Sequence, residues 1–138
     1  KKKNKKRTDL NSRVKVAENY ENAVFISIHM NSFPQPKYRG LQVYYSPNHK
    51  DSETVAKSIQ SLTRSSLQPE NTRAVKPSGG KIYLLDKLEY PAVLVECGFL
   101  SNPDEAALLC DDDYLQQLAF VIFAAASENL VGYSSTFG

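Results

Sequence analysis

The sequence predicts an α/β fold of three layers, a mostly parallel sheet flanked by helices. Two observations carry this. Ala23-Val24-Phe25-Ile26-Ser27-Ile28 and Ala92-Val93-Leu94-Val95-Glu96 are nearly continuous runs of strand-forming residues, the pattern of strands covered on both faces. Around them lie stretches whose apolar residues recur at helical spacing, so helices alternate with strands. The 138 residues suffice for one domain with its own core, and 41% hydrophobic content is ordinary for a globular chain.

The elements follow in order. Residues 1–8, dominated by lysine, read as a loop or frayed terminus. Asp9 is placed to cap a helix carrying Leu10, Val14 and Ala17 on one face. The first apolar run then forms a strand ending in His29-Met30-Asn31-Ser32, and a loop with Pro34 and Pro36 leads to a second strand, Leu41 to Tyr45. Asp51 or Ser52 is expected to cap a helix to about Ser65, with Val55, Ala56, Ile59 and Leu62 inward. A Pro- and Gly-containing connection over 67–81 leads to Ile82-Tyr83-Leu84-Leu85, read as a short strand, and then to the second apolar run. Pro103-Asp104-Glu105 opens a short helix, and a last helix from Asp112 is expected to dock through Leu115, Leu118, Ala119, Ile122, Phe123 and Ala126. Residues 132–138 read as a loose tail.

Charge and cysteine content narrow the function classes. Lys1, Lys2, Lys3, Lys5, Lys6 and Arg7 concentrate basic charge at one end and leave the body acidic on balance, against nucleic-acid binding. No apolar run approaches the roughly 18–20 residues of a membrane span, and the basic start lacks the apolar stretch of a signal peptide. Cys97 and Cys110 have no metal-knuckle or redox spacing and read as two buried free thiols, with a disulfide between them as the alternative.

In parallel α/β sheets ligands sit beyond the carboxyl ends of the strands. That rule singles out His29 and Glu96. A carboxylate that ends a run of Val and Leu is costly to desolvate unless a metal, an arginine or a substrate meets it. Asn31 either orients the site or stabilises the turn after the strand.

The strings around these residues are more specific. Ile26-Ser27-Ile28-His29-Met30-Asn31-Ser32 and Val93-Leu94-Val95-Glu96-Cys97-Gly98-Phe99-Leu100-Ser101-Asn102 resemble two signatures of the zinc-dependent N-acetylmuramoyl-L-alanine amidases of bacterial cell walls. Asp9-Leu10-Asn11-Ser12-Arg13-Val14 resembles the helix start that precedes them. Gly40 to Tyr45 and Asn102 to Ala106 also fit, so the resemblance covers about residues 7–130. The Lys-rich start and Tyr83-Leu84-Leu85 look most like the spore-cortex, germination-specific branch.

The resemblance implies a zinc amidase or phosphorylase-like fold and a Zn²⁺ ion held by two His and one Glu, with water in the open position. A separate Glu takes the water's proton and passes it to the leaving amine. By motif, His29 matches a zinc ligand and Glu96 the general base. Tyr38, Arg39, Tyr83 and Leu84 are candidates for the walls of an open groove for peptidoglycan, and Asn31 is a candidate to orient the His or a substrate carbonyl. The implied location is extracytoplasmic, in wall or spore cortex.

The family's first strand and helix, which bring the other His and the zinc-binding Glu, are not found here. His49 lies in no ligand position. The reading is therefore that residues 9–131 are the C-terminal portion of one catalytic domain, with an incomplete zinc site, inactive alone. It carries exposed sheet surface that invites a dimer or a complementing chain. The rival readings are a non-catalytic peptidoglycan- or partner-binding module and a hydrolase using Cys97 as nucleophile.

Overall fold

The computed structural model describes residues 2–20 and 22–134, with side chains described for 5–20 and 22–130. Helix α1 spans Lys2–Glu18, β1 Phe25–Asn31, β2 Gln42–Tyr45, α2 Lys50–Ser66 and β3 Lys76–Pro77. Then follow α3 Tyr83–Lys87, β4 Ala92–Phe99, α4 Pro103–Leu108 and α5 Asp112–Ser134.

The sheet runs in the order β1-β4-β2-β3. β1 and β4 are parallel, as are β2 and β3, whereas β2 is antiparallel to β4. The mixed direction follows from the connection between β1 and β2, which is too short to carry a crossover helix. Val93, Val95 and Cys97 face a core built with Val55, Ala56 and Ile59 of α2 and Leu118, Ile122 and Ala125 of α5. Ala92 and Leu94 face a second core with Leu85, Leu88 and, from α1, Val14 and Ala17. These are the expected three layers.

Several elements depart from the sequence reading. The lysine run is helical from Lys2, and Asp9 sits inside α1, where it pairs with Arg13 at 3.1 Å instead of capping. Lysine and arginine are good helix formers, and the half-buried stripe Leu10, Val14 and Ala17 holds the helix to the second core. The cap of α2 is His49, whose Nδ1 accepts from the Asp51 amide, while Ser52 is buried and its hydroxyl accepts from the Ala92 amide at 3.1 Å. Tyr83-Leu84-Leu85 is one helical turn. Leu84 and Leu85 are both buried, which an alternating strand would not allow. α5 continues to Ser134, through the start of the expected tail, and residues 135–138 lie outside the described residues.

Two apolar stretches are more exposed than expected. β1 is an edge strand, and Ile28 is 59% exposed where cover on both faces was anticipated. Phe123 is 67% exposed with Phe120 at 69% beside it, and Ala119 is exposed as well, so α5 docks through the expected Leu118, Ile122 and Ala126, with Leu115 against the same core, and through Val121 and Ala125.

The outer side of β2 at Leu41–Val43 is satisfied by side-chain amides. Gln60 accepts from the Val43 amide at 3.0 Å and donates to the Leu41 carbonyl at 2.9 Å. Gln68 accepts from the Leu41 amide, and Asn71 donates to the same Leu41 carbonyl. Gly40, just before this stretch, has φ +96°, and a Cβ there would lie 3.1 Å from the Asn71 side chain. Gly40→Ala is therefore expected to cost about 1–3 kcal/mol, read as a lower urea midpoint; an unchanged midpoint would contradict this placement.

Both cysteines are free, Cys97 buried and Cys110 exposed, so only one of the two expected buried thiols is found. Burial, reinforced by the Glu96 charge, pushes the Cys97 thiol up to about 11. A thiol held protonated against the hydrophobic core makes a poor nucleophile. Iodoacetamide at neutral pH is expected to label Cys110 and spare Cys97 in the native protein, by peptide mass spectrometry. Rapid labelling of Cys97 would contradict this packing.

Candidate active site

The register of β1 on β4 puts His29 directly opposite Glu96, and β2 brings Gln42 opposite Glu96 on the other side. Alternation along β4 points Glu96 to the face of Leu94, away from Val95 and Cys97. His29, Glu96 and Gln42 thus form a row across that face.

Glu96 is the unusual member. Its Oε2 is buried and has no hydrogen-bond partner. Burial raises its pKa above the usual carboxylate range, and the His29 charge opposes that shift. His29 is exposed, with Nε2 2.9 Å from the Ser27 hydroxyl two residues earlier on the same face. The described residues include no cluster of three His, Cys, Asp or Glu side chains that could hold a metal ion. His29 beside an unpartnered carboxylate fits one side of a catalytic zinc site, and it falls short of the three protein ligands such sites use.

The other expected residues are dispersed. Asn31 ends β1, and its Oδ1 accepts from the Ser32 amide at 2.8 Å. The Arg39 side chain is exposed and lies 3.8 Å from Glu70. The Tyr83 hydroxyl donates to Asn11 Oδ1 at 2.7 Å and so links α3 to α1. Leu84 is buried and packs in the interior, unavailable as a groove wall. His49 serves as the α2 cap.

Three residues with structural claims on the site were not singled out by the sequence. Gln42 is buried beside Glu96, where it donates to the Ala74 carbonyl at 2.8 Å. Arg73 donates to Gln42 Oε1 at 3.1 Å and to the Arg39 carbonyl at 2.6 Å, with its guanidinium 4.7 Å from the centre of the Phe99 ring. Glu105 is buried. One of its oxygens accepts from the Gly40 amide at 2.6 Å and the other from the Phe99 amide at 2.8 Å. It thereby ties the end of β4 to the loop before β2. Its place three residues after the Asn102 cap suggests a reciprocal capping box, but its carboxylate reaches across the fold instead.

The family model for N-acetylmuramoyl-L-alanine amidases matches residues 1–128. Over 119 residues the chain is 39% identical to the germination-specific N-acetylmuramoyl-L-alanine amidase of Bacillus subtilis (strain 168), covering 86% of this chain and 49% of that protein. It therefore spans about half the length of that curated relative. The CwlD amidase of Clostridioides difficile, solved in complex with the GerS lipoprotein, superposes with a TM-score of 0.88 at 37% identity, over 95% of this chain and 66% of that one. The catalytic domain of CwlV from Bacillus (Paenibacillus) polymyxa var. colistinus superposes with a TM-score of 0.74 at 33% identity, over 88% and 65%. The strings around His29 and Glu96, the layered mixed sheet and a match running from residue 1 to 128 agree: the chain belongs to the N-acetylmuramoyl-L-alanine amidase family.

Proposed function

We infer that the protein carrying this chain hydrolyses the amide between N-acetylmuramic acid and L-alanine in peptidoglycan, with Glu96 as general base. The observation that supports this most is the Glu96 carboxylate, buried at one oxygen, unpartnered, and directly across from His29. A carboxylate whose pKa is raised by burial holds a proton more readily at working pH, as a base that must return its proton to a leaving amine requires.

His29 would be one ligand of a Zn²⁺ ion, which when bound supplies Lewis-acid polarisation and an acidified water. The remaining ligands would come from outside the described residues. Ser27, hydrogen-bonded to the His29 ring, would fix its orientation. The work of this chain's own residues is to hold the imidazole, keep the Glu96 carboxylate desolvated and accept the proton there. The proposed setting is the bacterial wall or spore cortex. No helix among the described residues is long and apolar enough to cross a membrane.

A second reading is favoured by the absence of a three-ligand cluster among the described residues: a peptidoglycan- or partner-binding module without catalysis. The relative CwlD was solved with the GerS lipoprotein. For this chain a complementing protein, whether a second copy or another chain along the free edge of β1, is a proposal of the same kind. Zinc analysis separates the readings. Stoichiometric zinc in the protein, lost in His29→Ala together with activity, is expected for the enzyme. No zinc at micromolar concentration, alone or with a partner, would leave the binding module.

Glu96→Gln is expected to reduce turnover by roughly a hundredfold or more while zinc still binds; activity within about tenfold of the parent would remove Glu96 as the base. The same variant has a stability signature in the metal-free protein. A carboxyl whose folded pKa is raised costs stability when ionised. Glu96→Gln is therefore expected to be more stable than the parent above that raised pKa, with the difference vanishing as pH falls through the ordinary carboxyl range. Thermal melts at several pH values read this, and a gain present only in acid would contradict it.

A further inference from the structure

At the Gln42 end of the row of His29, Glu96 and Gln42 lies a cleft of about 490 Å³, lined by Gln42 together with Lys37, Arg39, Arg73 and Lys76. The carboxylates that line it are already engaged. Glu70 stands against Arg39, and both oxygens of Glu105 accept backbone amides. Arg73 differs from its neighbours. The residue is half-buried, and its guanidinium is held by the Arg39 carbonyl, Gln42 Oε1 and the Phe99 ring, all uncharged. No carboxylate among the described residues forms an ion pair with it. A cation fixed by neutral partners has paid its ordering cost in advance and keeps its charge for an incoming anion. Its anchor Gln42 is the cross-strand neighbour of Glu96, and Phe99 lies three residues beyond Glu96 on the same strand.

We propose that Arg73 is a substrate-binding residue that receives a carboxylate of the peptide on the leaving side of the scissile amide. The proposal rests on the amidase reading above and adds a specificity element to it. The peptide after L-alanine continues with an acidic residue in peptidoglycan stems, so a negative group lies within a residue of the bond to be cut. The fork geometry of a guanidinium suits a carboxylate better than a lone ammonium does, and Lys37 and Lys76 at the rim add attraction without orientation. Arg39, the basic residue the sequence singled out, already has Glu70 opposite its charge.

The test compares N-acetylmuramoyl-L-alanyl-D-glutamate with its diamide, by calorimetry on the full protein carrying this chain. The parent is expected to bind the carboxylate probe about tenfold more tightly than the diamide, the size of one charge-assisted hydrogen bond. Arg73→Gln is expected to bind both probes as weakly as the parent binds the diamide, and Arg73→Lys to keep a reduced preference. The comparison of two probes on the parent needs no variant, so it stands even where a substitution disturbs the fold. Equal affinity of the parent for both probes, binding of neither, or a full preference surviving in Arg73→Gln would overturn the proposal. Hydrolysis of peptidoglycan by the same parent is scored separately. Cleavage without discrimination keeps the amidase reading and removes the subsite, whereas discrimination without cleavage does the reverse.

Discussion

The arrangement depends on the register in which β1 lies along β4. Side chains alternate between the faces of a sheet, so a slip of one residue would turn Glu96 into the hydrophobic core and bring Val95 or Cys97 to the position facing His29. The register is secured at both ends. The Phe25 amide donates to the Pro91 carbonyl at 2.8 Å where the strands enter, and the Leu100 amide donates to the Asn31 carbonyl at 2.8 Å where they leave. Between these points, burying Val93, Val95 and Cys97 on one face and Ala92 and Leu94 on the other makes any other alignment expensive. Past Glu96 the pairing shifts, with Asn31 opposite Phe99, and this irregularity ends the ladder just beyond the candidate base.

A second constraint holds the far side of the site. β2 is short, and over Leu41–Val43 its outer side is bonded by the amides of Gln60, Gln68 and Asn71 in place of a strand. Glu105 spans from the Gly40 amide to the Phe99 amide and fastens β2's entry to β4's exit. Gly98 allows that carboxylate to come close, since a Cβ there would lie 3.2 Å from its Oε2. The buried charge has two backbone donors, which is how a carboxylate is accommodated inside a protein without a counter-ion. Gln42, and with it Arg73, takes its place from this frame.

Legibility in the sequence followed the range of the interactions. β4 was legible because Ala92 to Val95 is buried on both faces and leaves an unbroken apolar run. α2 was legible from its amphipathic spacing, and the pair His29 and Glu96 from the rule that α/β sites lie at strand ends. At α3, Ile-Tyr-Leu-Leu suits a strand as well as a helical turn, and only the burial of both leucines separates the two. The start of α1 was hidden by a lysine run with no acidic residue in the first turn to favour a helix. Ile28 and Phe123 carry an apolar signature without burial, since β1 lies at the sheet edge and α5 packs through its opposite side. Glu105, Gln42 and Arg73 owe their roles to partners as far as 65 residues away in the case of Glu105 and Gly40, and no local pattern encodes such a contact.

On this register His29, Glu96 and Gln42 form one row across three strands. Cross-strand nuclear Overhauser contacts in the isotope-labelled protein test it most directly. Backbone proton contacts are expected between His29 and Glu96 and between Glu96 and Gln42, with Ile28 meeting Val95 and Val43 meeting Val95 one step back. An antiparallel ladder shifted by one residue, with Glu96 facing Leu41 or Val43, or a His29 side chain that meets Val95 and Cys97 in place of Glu96, would contradict it.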